Sequence, residues 1–145
     1  MILEILRLKT QSRLIWGDYD IGKIPTPDRD AIIDDAIAFQ AWADNEKRND
    51  PTFGVRDVQT FVNSTLIALK RYLMIGCGII EFNKFKVIGL YLANDPPMVN
   101  DEAFEFIRRS LRDNDAKISA ERLTELIAWH DEMYTVINNL VLYNR

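Results

Sequence analysis

TLIALKRYLMIGCGIIEFNKFKVIGLYLA, residues Thr65 to Ala93, is the most apolar stretch of the chain, and its reading decides the fold. Three readings compete: a membrane span, a buried core, or a site built on the thiol of Gly76-Cys77-Gly78. A spanning helix needs roughly 20 mostly apolar residues. The longest uncharged piece here is Tyr72 to Ile80, between Lys70-Arg71 and Glu81, with Lys84 and Lys86 beyond. A charge near the bilayer centre costs several kcal/mol, and this window cannot avoid one. The stretch therefore reads as core, and no membrane partner is expected.

Working outward, Arg56 to Ile75 carries Val58, Phe61, Val62, Thr65, Leu69, Tyr72 and Leu73 at spacings of three and four. Leu66, Ile67 and Ala68 widen that apolar surface beyond one stripe. A helix apolar on most sides belongs at the centre of a fold. Gly76 and Gly78 are placed to end it. Beyond them, Ile80/Phe82 and Phe85/Val87 alternate with Glu81 and Lys86 around Asn83-Lys84. That alternation predicts a small β-hairpin over residues 79–92, although Lys84 stands where a two-residue turn prefers glycine. The rival is a further helix.

Three more helices are expected. The first runs from about Pro27 to Asp44, with Thr26 as cap and Ile32, Ala36, Phe39 and Ala43 as stripe. Another runs from about Asp101 to Asp113, capped by Asn100, with acids in its first turn and arginines near its end. Its stripe is Phe104, Ile107 and Leu111. The last runs from about Ala120 to Leu142, capped by Ser119, with a seam of Leu123, Leu126, Ile127, His130, Met133, Tyr134, Ile137, Leu140 and Val141. Met1 to Trp16 fits neither period well and is read as a helix. The expected fold is mainly α: a compact bundle of four to five helices plus the hairpin, forming one domain of 145 residues.

Composition narrows the function classes. Hydrophobic residues make up 48% and charged residues 28%, ordinary for a globular protein. The formal net charge of −4 argues against nucleic acid, which prefers a basic surface. One cysteine excludes an internal disulfide and a multi-cysteine zinc site. The N-terminus lacks a basic region and cleavage site of the secretory kind, so a cytoplasmic location is expected.

Candidate chemistry is sparse. Cys77 lies at an expected helix C-terminus among Leu73, Ile75, Ile79 and Ile80, where dipole and burial both work against a thiolate. His130 is the one histidine and sits on the seam of the last helix. A Cys77–His130 pair is the enzyme reading, and Asp131 or Glu132 is poorly placed to orient the ring. A serine for that histidine is not indicated by the sequence. Asp28, Asp30, Asp34 and Asp35 suit a helix start better than a cation site, so no metal and no cofactor is expected. The Rossmann, P-loop and nucleophile-elbow motifs are missing.

Partner-binding candidates are Trp16 and Tyr19 in an expected loop, Arg108 and Arg112 on one helix face, and Trp129 beside its seam. Together these features favour a non-catalytic protein-interaction module. It could be an adaptor, an inhibitor or an assembly subunit, of the kind phages and viruses use as accessory factors. Its expected partner is another protein or a second copy of itself as a homodimer. The alternatives are nucleic-acid binding through Arg108, Arg109 and Arg112, and a small enzyme using Cys77 or His130.

Overall fold

The last helix keeps its expected start, and its seam as far as Ile137, because capping and packing agree there on where it lies. In the computed structural model, which describes residues 25–143, it is one of five α-helices. These are α1 (Arg29–Asn49), α2 (Val58–Arg71), α3 (Lys84–Leu92), α4 (Asp101–Arg112) and α5 (Ala120–Asn138). α2 and α5 each run on into a π-helical turn, Tyr72–Gly76 and Asn139–Tyr143 respectively. The helix expected over Met1–Trp16 lies outside the described residues, as do Trp16 and Tyr19. The chain divides into two compact units, Met1–Glu46 and Lys47–Arg145.

The first unit is described through most of α1. Asp28, not Thr26, caps this helix: its Oδ1 accepts the Ala31 N–H at 2.8 Å, and its carbonyl accepts from Ile32. Aspartate satisfies an otherwise orphaned donor and complements the positive helix end. Ile32, Ile33, Ala36 and Gln40 are buried. Phe39 and Trp42 face solvent, with ring centroids 5.4 Å apart.

In the second unit α2 is central. Phe61, Val62, Thr65, Leu66, Ala68, Leu69 and Arg71 are all buried, so the helix is covered on nearly every side. A capping box starts it: Asp57 accepts from the Thr60 N–H, and Thr60 Oγ1 accepts from the Asp57 N–H. α2 packs on α5 and on α3, and α3 on α4. Gly78, at φ +70°, turns the chain out of the π turn, and the Ile79 N–H bonds back to the Leu73 carbonyl at 2.8 Å. Glycine alone adopts that backbone without strain.

The expected hairpin over residues 79–92 is not formed, and no strand occurs among the described residues. Residues 78–83 are irregular, and Lys84–Leu92 is α3. Asn83 is its cap rather than a turn residue, accepting from the Phe85 N–H at 3.0 Å. Val87, Ile88 and Tyr91 form a buried helical stripe, while Phe85 is 63% exposed. The alternation around Lys86 mimicked a strand. Burial at helical spacing against α2 and α4 outweighed the modest strand preference of β-branched and aromatic residues.

Two series of rings tie the helices together. Tyr72, Tyr91, Phe104 and Trp129, from the α2 extension, α3, α4 and α5, meet edge to face at 5.3, 5.8 and 5.7 Å between successive centroids. Edge-to-face contacts set positive ring edges against negative ring faces. The hydroxyls of both tyrosines pin the Asn94–Met98 turn. Tyr72 donates to the Asn94 and Asp95 carbonyls at 2.8 Å each, and Tyr91 donates to the Met98 carbonyl at 2.7 Å. Burial pushes the Tyr91 hydroxyl up to about 12, which keeps it a donor. The second series, Phe106, Phe61, His130 and Tyr134, runs at 6.4, 6.2 and 5.5 Å and ends under the Arg71 guanidinium.

The π turn at the end of α5 changes which side chains face inward. A π turn spaces bonded residues five apart, so the seam steps from Ile137 to Leu142. Val141 and Leu142 are buried, and Leu140, expected on the seam, is 44% exposed.

Candidate functional site

His130 is held between two side chains. Its Nε2 lies 2.8 Å from Ser64 Oγ, and its Nδ1 lies 3.0 Å from Asp131 Oδ1. With the Asp131 carboxylate accepting the Nδ1 proton, Nε2 is the acceptor for the Ser64 hydroxyl. Ser64 lies one turn before Ala68 on α2, and His130 lies mid-way along α5. The two helices that pack most closely are thus joined by one neutral polar bridge. Asp131 reaches the ring although it is the adjacent residue, contrary to the expectation from helix geometry. Its short side chain, 59% exposed, swings back along the helix surface. The sequence could have flagged Ser64 only through the pairing of α2 with α5.

The order serine, histidine, aspartate is that of a nucleophile, a base and an orienting acid. Its surroundings are different. Ser64 sits inside α2, so the backbone N–H groups flanking it are committed to helix hydrogen bonds and are not aimed at an oxyanion. What the geometry shows is a side-chain link between α2 and α5. Burial holds the His130 ring below its ordinary titration range; Asp131 opposes this and Lys47 adds to it. Protonation would also break the Ser64 donation to Nε2.

A histidine with a lowered folded value binds its proton more readily when unfolded. Its contribution to stability is therefore complete above the ordinary value of 6.5 and declines as pH falls from there through the lowered folded value. Thermal melts taken on either side of that range should show a fall in melting temperature toward acid. His130→Asn should flatten that part of the profile. An unchanged slope in the variant would assign the loss to other groups.

The remaining expected sites are dispersed. Arg108 is half-buried and Arg112 exposed on α4, and neither forms an ion pair or hydrogen bond among the described residues. Arg109, by contrast, covers the Phe106 ring at 5.3 Å and donates to the Lys117 carbonyl at 3.3 Å. Trp129 is half-buried edge-on to Phe104, and its Nε1 is shielded from solvent without an acceptor. Cys77 is half-buried at the end of the π turn, with its N–H bonded to the Leu73 carbonyl. Asp28 is engaged as a cap, and no group of three potential metal ligands converges among the described residues. Among them, too, no helix is long and apolar enough to cross a membrane.

One end of the second unit carries exposed apolar side chains that the sequence reading assigned to the core or left unremarked. The two π turns pack on each other there: a Cβ on Gly76 would meet Val141 Cγ1 at 3.4 Å. Ile80 leaves the first turn 44% exposed, and Leu140 and Tyr143 on the second are 44% and 56% exposed. The signal that would have found this surface is the change of helical period, and no residue pattern announces it.

Comparison with known proteins adds no relative: no family model, no curated protein and no solved structure matches the chain.

Proposed function

We propose that this chain is a non-catalytic protein-interaction module of the cytoplasm that binds through the end of its bundle where the π turns meet. The observation that supports this is the exposure of Ile80, Leu140 and Tyr143 at that end. Exposed apolar and aromatic side chains are what buried interface centres are made of. The π turn in α5 rotates Leu140 outward, where a continued α-helix would turn it in. The partner is a second copy of the chain or another protein, and the same surface serves either.

Leu140→Ser combined with Tyr143→Ser tests the reading, since both side chains are exposed and the fold does not depend on them. The wild-type chain should exceed the monomer mass by light scattering, or retain a specific protein in affinity capture, and the double variant should lose that association. A wild-type chain that stays monomeric and retains nothing that the variant loses would sink the proposal.

A further inference from the structure

Arg71 is the last residue of α2, and its side chain reaches across to α5. Only 6% of the residue is exposed. Arginine is rarely buried to that degree without a carboxylate, because taking a charge out of water is costly. Here Nη1 is the engaged nitrogen, donating to Asn138 Oδ1 at 2.7 Å and to the Tyr134 hydroxyl at 3.4 Å. The Tyr134 ring lies 5.7 Å from the guanidinium carbon. All three contacts are with neutral groups.

Among the described residues nothing supplies the missing negative charge. Asp131 and Glu132, the acids of α5 nearest to Tyr134 in sequence, form no ion pair with Arg71, and Asp131 is turned to the His130 ring at 3.0 Å. Both helices run on into π turns, so their carbonyl ends, which carry negative potential, lie farther along the chain. The Nε–Nη2 edge of the guanidinium has no hydrogen-bond partner among the described residues. That edge is not sealed off either. The shielded polar atoms that lack a partner belong to Thr65, Ser110 and Trp129, and none belongs to Arg71. Nε and Nη2 present two parallel N–H donors, the geometry that two oxygens of a carboxylate or a phosphate accept.

We propose that Arg71 anchors a site for a small free oxyanion, a carboxylate or a phosphate, held bidentate on Nε and Nη2. The anion supplies the charge that Asn138 and Tyr134 lack, and those two residues fix the fork by holding Nη1. With so little of the residue exposed, the opening admits a small group and not a broad surface. The site uses none of Ile80, Leu140 and Tyr143, so its test is independent of the interaction surface at the π turns.

Titration of the whole chain with sodium acetate and with sodium phosphate, with sodium chloride holding the ionic strength constant, tests this. The readouts are the arginine Nε–H signals in NMR and the melting temperature. A saturable shift of the Arg71 Nε–H signal is expected with one or both anions. A response to acetate alone identifies a carboxylate site, and one to phosphate alone a phosphate site. A ligand of the folded state also raises the melting temperature by mass action. Such salts stabilise proteins in general, so the rise is compared with that of Arg71→Met, which should lack the saturable part. Arg71→Lys keeps the charge but not the fork, and should need about tenfold more anion for the same rise, the equivalent of one lost charge-assisted bond. Asn138→Asp places a carboxylate on the guanidinium from within the fold and should weaken the anion about tenfold or more. If Arg71→Met does not fold, the Nε–H titration of the wild-type chain decides. The proposal is overturned if the Arg71 Nε–H signal does not shift or does not saturate with either anion, if Arg71→Met gains as much stability from the anions as the wild type, or if Asn138→Asp titrates unchanged.

Discussion

Tyr91→Ala should cost about 3–5 kcal/mol of folding stability, the range for deleting a large buried ring. Tyr91 is fully buried, and its ring lies between Tyr72 and Phe104. Its removal opens a void where the α2 extension, α3 and α4 meet and leaves the Met98 carbonyl without its donor. Small domains are stable by about 5–15 kcal/mol, so the variant should be near the limit of folding. Tyr91→Phe isolates the hydroxyl: it keeps the ring and should cost about 1 kcal/mol, one net hydrogen bond. Urea unfolding of the three proteins measures both terms. Equal losses in the two variants would show that the pinned turn, not the packed ring, dominates.

Asn138→Leu should cost about 2–3 kcal/mol, because it strands a buried positive charge. Arg71 is 6% exposed, and no carboxylate among the described residues lies within ion-pairing distance. Its Nη1 donates to Asn138 Oδ1 at 2.7 Å and, more weakly, to the Tyr134 hydroxyl at 3.4 Å. The Tyr134 ring, 5.7 Å below, adds a cation–π contact. A guanidinium that loses its best acceptor in a low-dielectric setting is penalised more than one never placed there. Arg71→Met together with Asn138→Leu should therefore be more stable than the sum of the single losses, with a coupling of about 1–3 kcal/mol. Strict additivity in chemical unfolding would show that solvent reaches the guanidinium and that Asn138 is dispensable to it.

The regions read correctly from sequence are those where local and tertiary signals coincide. Asn100 and Ser119 cap α4 and α5 as expected, accepting from the Ala103 and Arg122 N–H groups. The breadth of apolar surface on residues 58–71 announced a central helix. Residues 79–92 were misread because Phe85, Val87 and Lys86 satisfy a period of two over too few residues to exclude 3.6. The Ser64–His130 contact was illegible for another reason: 66 residues separate the pair, and only the packing of α2 on α5 brings them together.

The candidate interaction surface was the least legible part. Leu140 has the spacing of a core residue and is one in a regular helix. A π turn has no residue signature, because it arises where two helices packed together must adjust their register. The sequence by itself determined the helical class, the caps at Asn100 and Ser119, the central place of residues 58–71 and the exclusion of a membrane span within residues 65–93. Those are properties of short-range spacing and charge. The tertiary structure decided that residues 84–92 are helical, that His130 meets Ser64 across two helices, that Arg71 is buried on neutral partners, and which apolar side chains remain outside. Each of those depends on what lies opposite a side chain, and burial free energy is assigned only when the helices meet.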